Sequence, residues 1–106
     1  MQSHLHLARY EVTEEELRTT RSQLAHPYCS VEKITITQVT LNDKKTKLLA
    51  KGIAQNSTIK ELSFDNCKIR VHNMNKLANA IGANESIEHI LFSKCNLLQK
   101  HCTALA

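Results

Sequence analysis

Four cysteines and six histidines are the residues of this 106-residue chain best suited to chemistry. Zinc sites are built from clustered pairs such as C-x-x-C, and Cys29, Cys67, Cys95 and Cys102 show no such spacing. A disulfide between neighbouring segments is conceivable on geometry. The N-terminus carries no basic stretch leading into an apolar one, so no cleaved signal is expected and a cytoplasmic, reducing setting follows, in which thiols stay free. His4 and His6 alternate and share one face of a strand, which would hold a metal only if a third ligand approached. His101 and Cys102 are adjacent, and adjacent residues on a helix do not face each other. No Ser-His-Asp or Cys-His arrangement can be placed. Gly52 and Gly82 are the only glycines, so no glycine-rich loop cradles a phosphate. The expectation is a chain with no catalytic residues, no cofactor and no metal, and not an enzyme.

The elements that must position these residues follow from an internal repeat. Val31, Ile59 and Ile87 lie 28 residues apart, and with them in one column the rest falls into register without a gap. Ile34, Leu62 and Ile90 align, as do Ile36, Phe64 and Phe92, then Val39, Cys67 and Cys95, then Leu41, Ile69 and Leu97. Further on, Leu49, Leu77 and Leu105 align, with Ala50, Ala78 and Ala106 beside them. Each unit opens with an alternating apolar run that fits a strand. It continues with a helical stripe such as Met74, Leu77, Ala78 and Ile81, at i, i+3, i+4 and i+7. One such helix cannot bury its stripe alone, so units must stack. Strands are expected near residues 33–37, 61–65 and 89–93, and helices near 44–54 and 72–82.

The run I-x-x-L-x-F-x-x-C-x-I from Ile59 to Ile69 resembles the leucine-rich repeat signature, and Ile87 to Leu97 matches with Cys95 at its Asn/Cys position. Val31 to Leu41 matches except for Val39 there. The period and the full helix are most similar to the ribonuclease-inhibitor-like subfamily. The resemblance implies an α/β leucine-rich-repeat solenoid, a right-handed β-α superhelix with parallel strands on a concave face and helices on a convex one. Residues 1–30 then form a degenerate repeat, 31–58 and 59–86 full repeats, and 87–106 an incomplete one, all in a single domain. In that architecture Cys67 and Cys95 lie one coil apart and face inward, where free cysteine acts as a small hydrophobe.

The first unit matches if it is one residue longer, with Leu5, Leu7, Tyr10 and Val12 equivalent to Ile34, Ile36, Val39 and Leu41. Thr13-Glu14-Glu15-Glu16 reads as a capping box that starts a helix at Thr13, and the three glutamates suit the positive end of its dipole. Leu17, Leu24 and Ala25 are expected to face inward, with Arg21 where later units carry Ala50 and Ala78. His26-Pro27 ends the helix. Asn56 and Asn84 head two glycosylation-type triplets. Because they recur at the repeat period, they are read instead as helix C-terminal residues that tolerate the left-handed conformation. Gly52 and Gly82 are assigned packing or termination roles.

Composition excludes several partners. No stretch approaches the ~18 apolar residues of a spanning helix, so no membrane is expected. Residues 1–30 carry three arginines against four glutamates, net −1, and residues 31–106 carry eleven Lys/Arg against six acids, net +5. Lys44, Lys45, Lys47 and Lys51 cluster on one helix away from its apolar face. They read as a solvated surface, because nucleic-acid binding would interleave arginine and aromatics.

In the family it resembles, ligands dock on the concave sheet. The outward strand positions are Lys33, Thr35 and Thr37, then Glu61, Ser63 and Asp65, then His89, Leu91 and Ser93. This protein-binding face is mixed in charge and poor in the aromatic and arginine anchors of hot spots. A non-enzymatic protein-interaction scaffold is the first reading. The alternative, a regulator that activates a small GTPase, calls for an arginine or asparagine on the rim, and Asn42 and Asn96 are the nearest candidates. Neither end shows a polar capping unit. Leu97, Leu98, Leu105 and Ala106 therefore suggest a piece of a longer array, end-to-end self-association, or packing against further repeats.

Overall fold

Each unit's alternating run forms a five-residue strand, and in the computed structural model, which describes residues 3–8 and 13–95, these strands stack in parallel. The chain runs β1 (His4–Ala8), α1 (Glu14–Ala25), β2 (Lys33–Thr37), β3 (Thr40–Leu41), α2 (Asp43–Gln55), β4 (Glu61–Asp65), β5 (Lys68–Ile69), α3 (Val71–Ala83) and β6 (His89–Ser93). The main sheet has the order β1-β2-β4-β6, and β3 pairs with β5 in a second, two-stranded sheet. Parallel neighbours need a long return path, and here each return between main-sheet strands carries one helix. The register is that of the sequence columns: Ile34 opposite Leu62 opposite Ile90, and Ile36 opposite Phe64 opposite Phe92. Leu5 and Leu7 stand beside Ile34 and Ile36, so the first unit is one residue longer, as the alignment requires. The fold is thus mixed α/β with a four-stranded parallel sheet.

Alternation sends Leu62 and Phe64 to the same buried face, where they meet Leu49 and Ile53 of α2 and Met74 and Leu77 of α3 in one aliphatic core. Burying a side chain of this size stabilises by about 1.5–3 kcal/mol, so these columns dominate the fold. Phe64 and Phe92 stack across β4 and β6 with centroids 5.0 Å apart and planes within 8°. Among the described residues each helix packs chiefly on the helix beside it in the chain's order, α1 on α2 and α2 on α3. Cys67 is buried, and its thiol donates to the Ile36 carbonyl at 3.3 Å; burial pushes that thiol above its ordinary pKa. Cys95 repeats the contact to Phe64 O at 3.5 Å. Cys29, Cys67 and Cys95 are all free thiols.

Two turns recur with the period. Gln38, Asn66 and Lys94 follow β2, β4 and β6 with φ of 57°, 55° and 55°, bending the chain from the sheet into the core. The Gln38 amide donates to Asp65 O at 2.9 Å and the Asn66 amide to Ser93 O at 2.8 Å, so these two left-handed residues tie β2 to β4 and β4 to β6. At the helix starts, Thr13 Oγ1 accepts from the Glu16 amide and Asn42 Oδ1 from the Lys45 amide. Arg70, at the same place before α3, offers no acceptor and makes no side-chain cap.

Three expectations need correction. Asn56 and Asn84 are not left-handed; both are extended, with φ near −90°. Their role is a ladder. Asn84 Nδ2 donates to Ile53 O and Asn56 O, while its Oδ1 accepts the amides of Ser86 and Ile87. Asn56 does the same one unit earlier, donating to Leu24 O and accepting from Thr58 and Ile59. Ala25 is exposed rather than inward, because the α1 stripe runs through Leu17, Thr20 and Leu24. Of the packing and termination roles allowed to both glycines, packing fits Gly52, where a Cβ would meet Arg21 Cα at 3.2 Å, but not Gly82 near the end of α3, where it would meet nothing within 4 Å. Tyr10, Val12, Asn96, Leu97, Leu98, His101, Cys102, Leu105 and Ala106 lie outside the described residues.

Candidate functional site

The strand positions left over by the core form the other face of the sheet, and the parallel register sets them in rows. Lys33, Glu61 and His89 make the first row, Thr35, Ser63 and Leu91 the second, Thr37, Asp65 and Ser93 the third. All nine expected residues therefore come together on one surface. The β2 and β4 members are half-buried by their neighbours, while His89, Leu91 and Ser93 on the edge strand are exposed. Lys33 Nζ and Glu61 Oε2 form an ion pair at 3.1 Å. Such partly solvated pairs add little stability; this one fixes two long side chains flat across the first row. Leu91, 51% exposed, is the one large apolar side chain offered to solvent on this face among the described residues.

Sequence reasoning left the three β1 members, His4, His6 and Ala8, out of this surface, Ala8 standing beside Thr37. Because Leu5 and Leu7 align with Ile34 and Ile36, His4 and His6 fall beside Lys33 and Thr35. That alignment was the signal. Their imidazoles stack 6.2 Å apart, and their Nε2 atoms hydrogen-bond Thr35 Oγ1 at 2.8 Å and Thr37 Oγ1 at 3.1 Å. Among the described residues no three His, Cys, Asp or Glu side chains group as a metal-holding cluster, and the histidines find hydroxyl partners instead.

A second concavity lies on the rim, where α2 and α3 begin. This groove of about 1000 Å³ is lined by Asn42, Asp43, Lys44, Lys68, Arg70 and Asn73, among others. Asn42, named above as a rim candidate, serves as the α2 cap. Asp43 contacts His72 Nε2 at 2.6 Å; that contact and the Asn73 amide beside it hold its carboxyl below the ordinary carboxylate range. Asn73, fully buried, donates from Nδ2 to Leu41 O and locks α3 to the preceding unit. Arg70 is exposed on this rim, a residue the sequence did not single out. The groove and the sheet face are separate surfaces of the chain.

No protein-family model matches this sequence, and no curated protein matches it. Among the described residues, no helix is long and apolar enough to cross a membrane.

Proposed function

We propose that the chain is a leucine-rich-repeat solenoid of the ribonuclease-inhibitor-like kind, acting as a non-enzymatic scaffold that binds protein partners in the cytoplasm. The observation that carries this reading is the sheet face. Nine outward strand positions, joined by His4, His6 and Ala8, form a continuous and mostly polar surface in three rows, backed by a buried core. A surface with small hydroxyl side chains in its middle row and one exposed leucine at its edge suits a partner chain laid across the strands. Weak affinity follows from the lack of aromatic anchors.

The test is capture of partners by the immobilised chain, compared across variants. Ser63→Arg fills the middle of the face and Leu91→Asp removes its apolar contact, so both should abolish capture of whatever wild type retains. Lys47→Glu, on the solvated face of α2, should not. Capture that survives both face variants overturns the reading.

A second reading, a regulator of a small GTPase, draws on the exposure of Arg70 at the rim groove. An arginine supplied in trans stabilises the charge that develops in phosphoryl transfer. GTP hydrolysis by candidate GTPases, accelerated by the chain and not by Arg70→Ala, would favour it over the scaffold.

A further inference from the structure

The three helices form a layer on the side of the core away from the sheet face, and the repeat sets their exposed side chains in rows. The buried stripe of α1, Leu17, Thr20 and Leu24, recurs 29 residues later as Thr46, Leu49 and Ile53 of α2. Met74 and Leu77 of α3 stand 28 residues beyond Thr46 and Leu49. By the same spacing Arg18 is level with Lys47, and Lys76 lies one residue past that level on α3. Lys44 is three residues before Lys47 and Lys51 four after it, so both share its face of α2. Arg18, Lys44, Lys47, Lys51 and Lys76 are all exposed, and none holds an ion pair among the described residues.

Carboxylates are confined to one margin of this layer. Glu14, Glu15 and Glu16 occupy the first turn of α1 and Asp43 that of α2, while α3 has none. Asp43 is engaged by His72 at 2.6 Å, with Lys76 a weaker influence on it. Beyond those first turns the helices carry Arg18, Arg21, Lys47, Lys51 and Lys76 and no acid. They contain no Phe, Tyr or Trp, and none of their large apolar side chains is exposed. The cations spread in two dimensions. They run about 10 Å along α2 from Lys44 to Lys51, and across two interhelical gaps of about 8–10 Å each from α1 to α3.

A single acidic chain would follow one row and leave the others idle, whereas a plane of anionic headgroups meets them all. Lysine dominates, and its ammonium is a point charge suited to many diffuse partners, where the arginine fork suits one bound phosphate. The layer also lacks the aromatic platform on which nucleic-acid bases stack. We propose that the helix layer is a docking surface for an anionic lipid membrane, held by Arg18, Lys44, Lys47, Lys51 and Lys76. The contact is peripheral and electrostatic, since no helix among the described residues is long and apolar enough to cross a membrane. It leaves the sheet face, across the core, open to a protein partner.

Cosedimentation of the full chain with lipid vesicles tests this. Wild type should bind phosphatidylcholine vesicles that contain phosphatidylserine, ignore pure phosphatidylcholine, and come off at high salt. Lys47→Gln and Lys51→Gln should each weaken binding about fivefold. Lys68→Gln and Lys94→Gln remove the same charge outside the helix layer and should leave binding nearly unchanged. Circular dichroism of each variant checks that it is folded. No protein partner takes part, so the outcome does not depend on the scaffold reading. A wild-type chain that ignores phosphatidylserine at low salt overturns the proposal, and so does equal binding to pure phosphatidylcholine. Lys68→Gln and Lys94→Gln weakening binding as much as the α2 variants would overturn it too, because net charge alone would then suffice. So would a DNA duplex that the chain prefers to the vesicles through the same two lysines, which would assign the patch to nucleic acid.

Discussion

Asn84 does the work of four ordinary contacts. Its amide nitrogen satisfies two carbonyls of the preceding unit, and its oxygen satisfies two amides of its own chain turn. Its side chain is almost wholly buried, so water cannot take over these roles. Asn84→Ala should therefore destabilise by about 3 kcal/mol, from stranded backbone groups of roughly 1–3 kcal/mol each. Asn84→Asp should be no better, because a carboxylate cannot donate to Ile53 O and Asn56 O. Urea melts of the two variants check this, and an aspartate variant as stable as wild type would mean the donor half of the ladder is idle. The sequence marked both asparagines by their period but not their job, because periodicity reports that a residue recurs and not which atoms it reaches. The same gap hid Asn73. A polar residue beside the apolar stripe reads as solvent-facing, yet its link to Leu41 O makes it part of the interior.

At the scale of elements, helix spacing is where one missing carbon matters. Gly52 faces α1 so closely that an added Cβ would sit 3.1 Å from Leu24 Cδ1 and 3.2 Å from Arg21 Cα. The leucine tip can swing away, but the Arg21 contact is backbone, so α1 as a whole must move. Gly82 looks into open space. Alanine is the better helix former by about 1 kcal/mol, so Gly82→Ala should raise the melting temperature. Gly52→Ala should lower it, since overpacking of about 1–3 kcal/mol outweighs that gain. Equal shifts for the two substitutions, read by thermal denaturation, would show that α1 yields freely. Element boundaries were legible to within about two residues because the apolar columns and the Thr13 cap carry them. The left-handed residues after each strand were not, since only Asn66 of the three has a side chain that favours that conformation. The candidate face was legible wherever the period was strict. It was incomplete at His4 and His6, where the first unit is one residue longer and its histidines invited a metal reading.

For the whole molecule, the consequential feature is that, among the described residues, each main-sheet strand and each helix leans chiefly on the ones immediately beside it. A globular domain held by contacts between distant parts breaks all at once when pulled. Here a load applied to the two ends reaches each layer in turn, and the layer at an end, with one neighbour instead of two, gives way first. Each released layer frees the 28 residues that separate Lys33 from Glu61, and should lengthen the tether by about 100 Å. Force–extension traces should therefore show a short staircase of such steps, whereas a single large rupture would mean that the layers share one cooperative block. A protein built this way yields to tension gradually, and its central face, around Thr35 and Ser63, is the last to come apart.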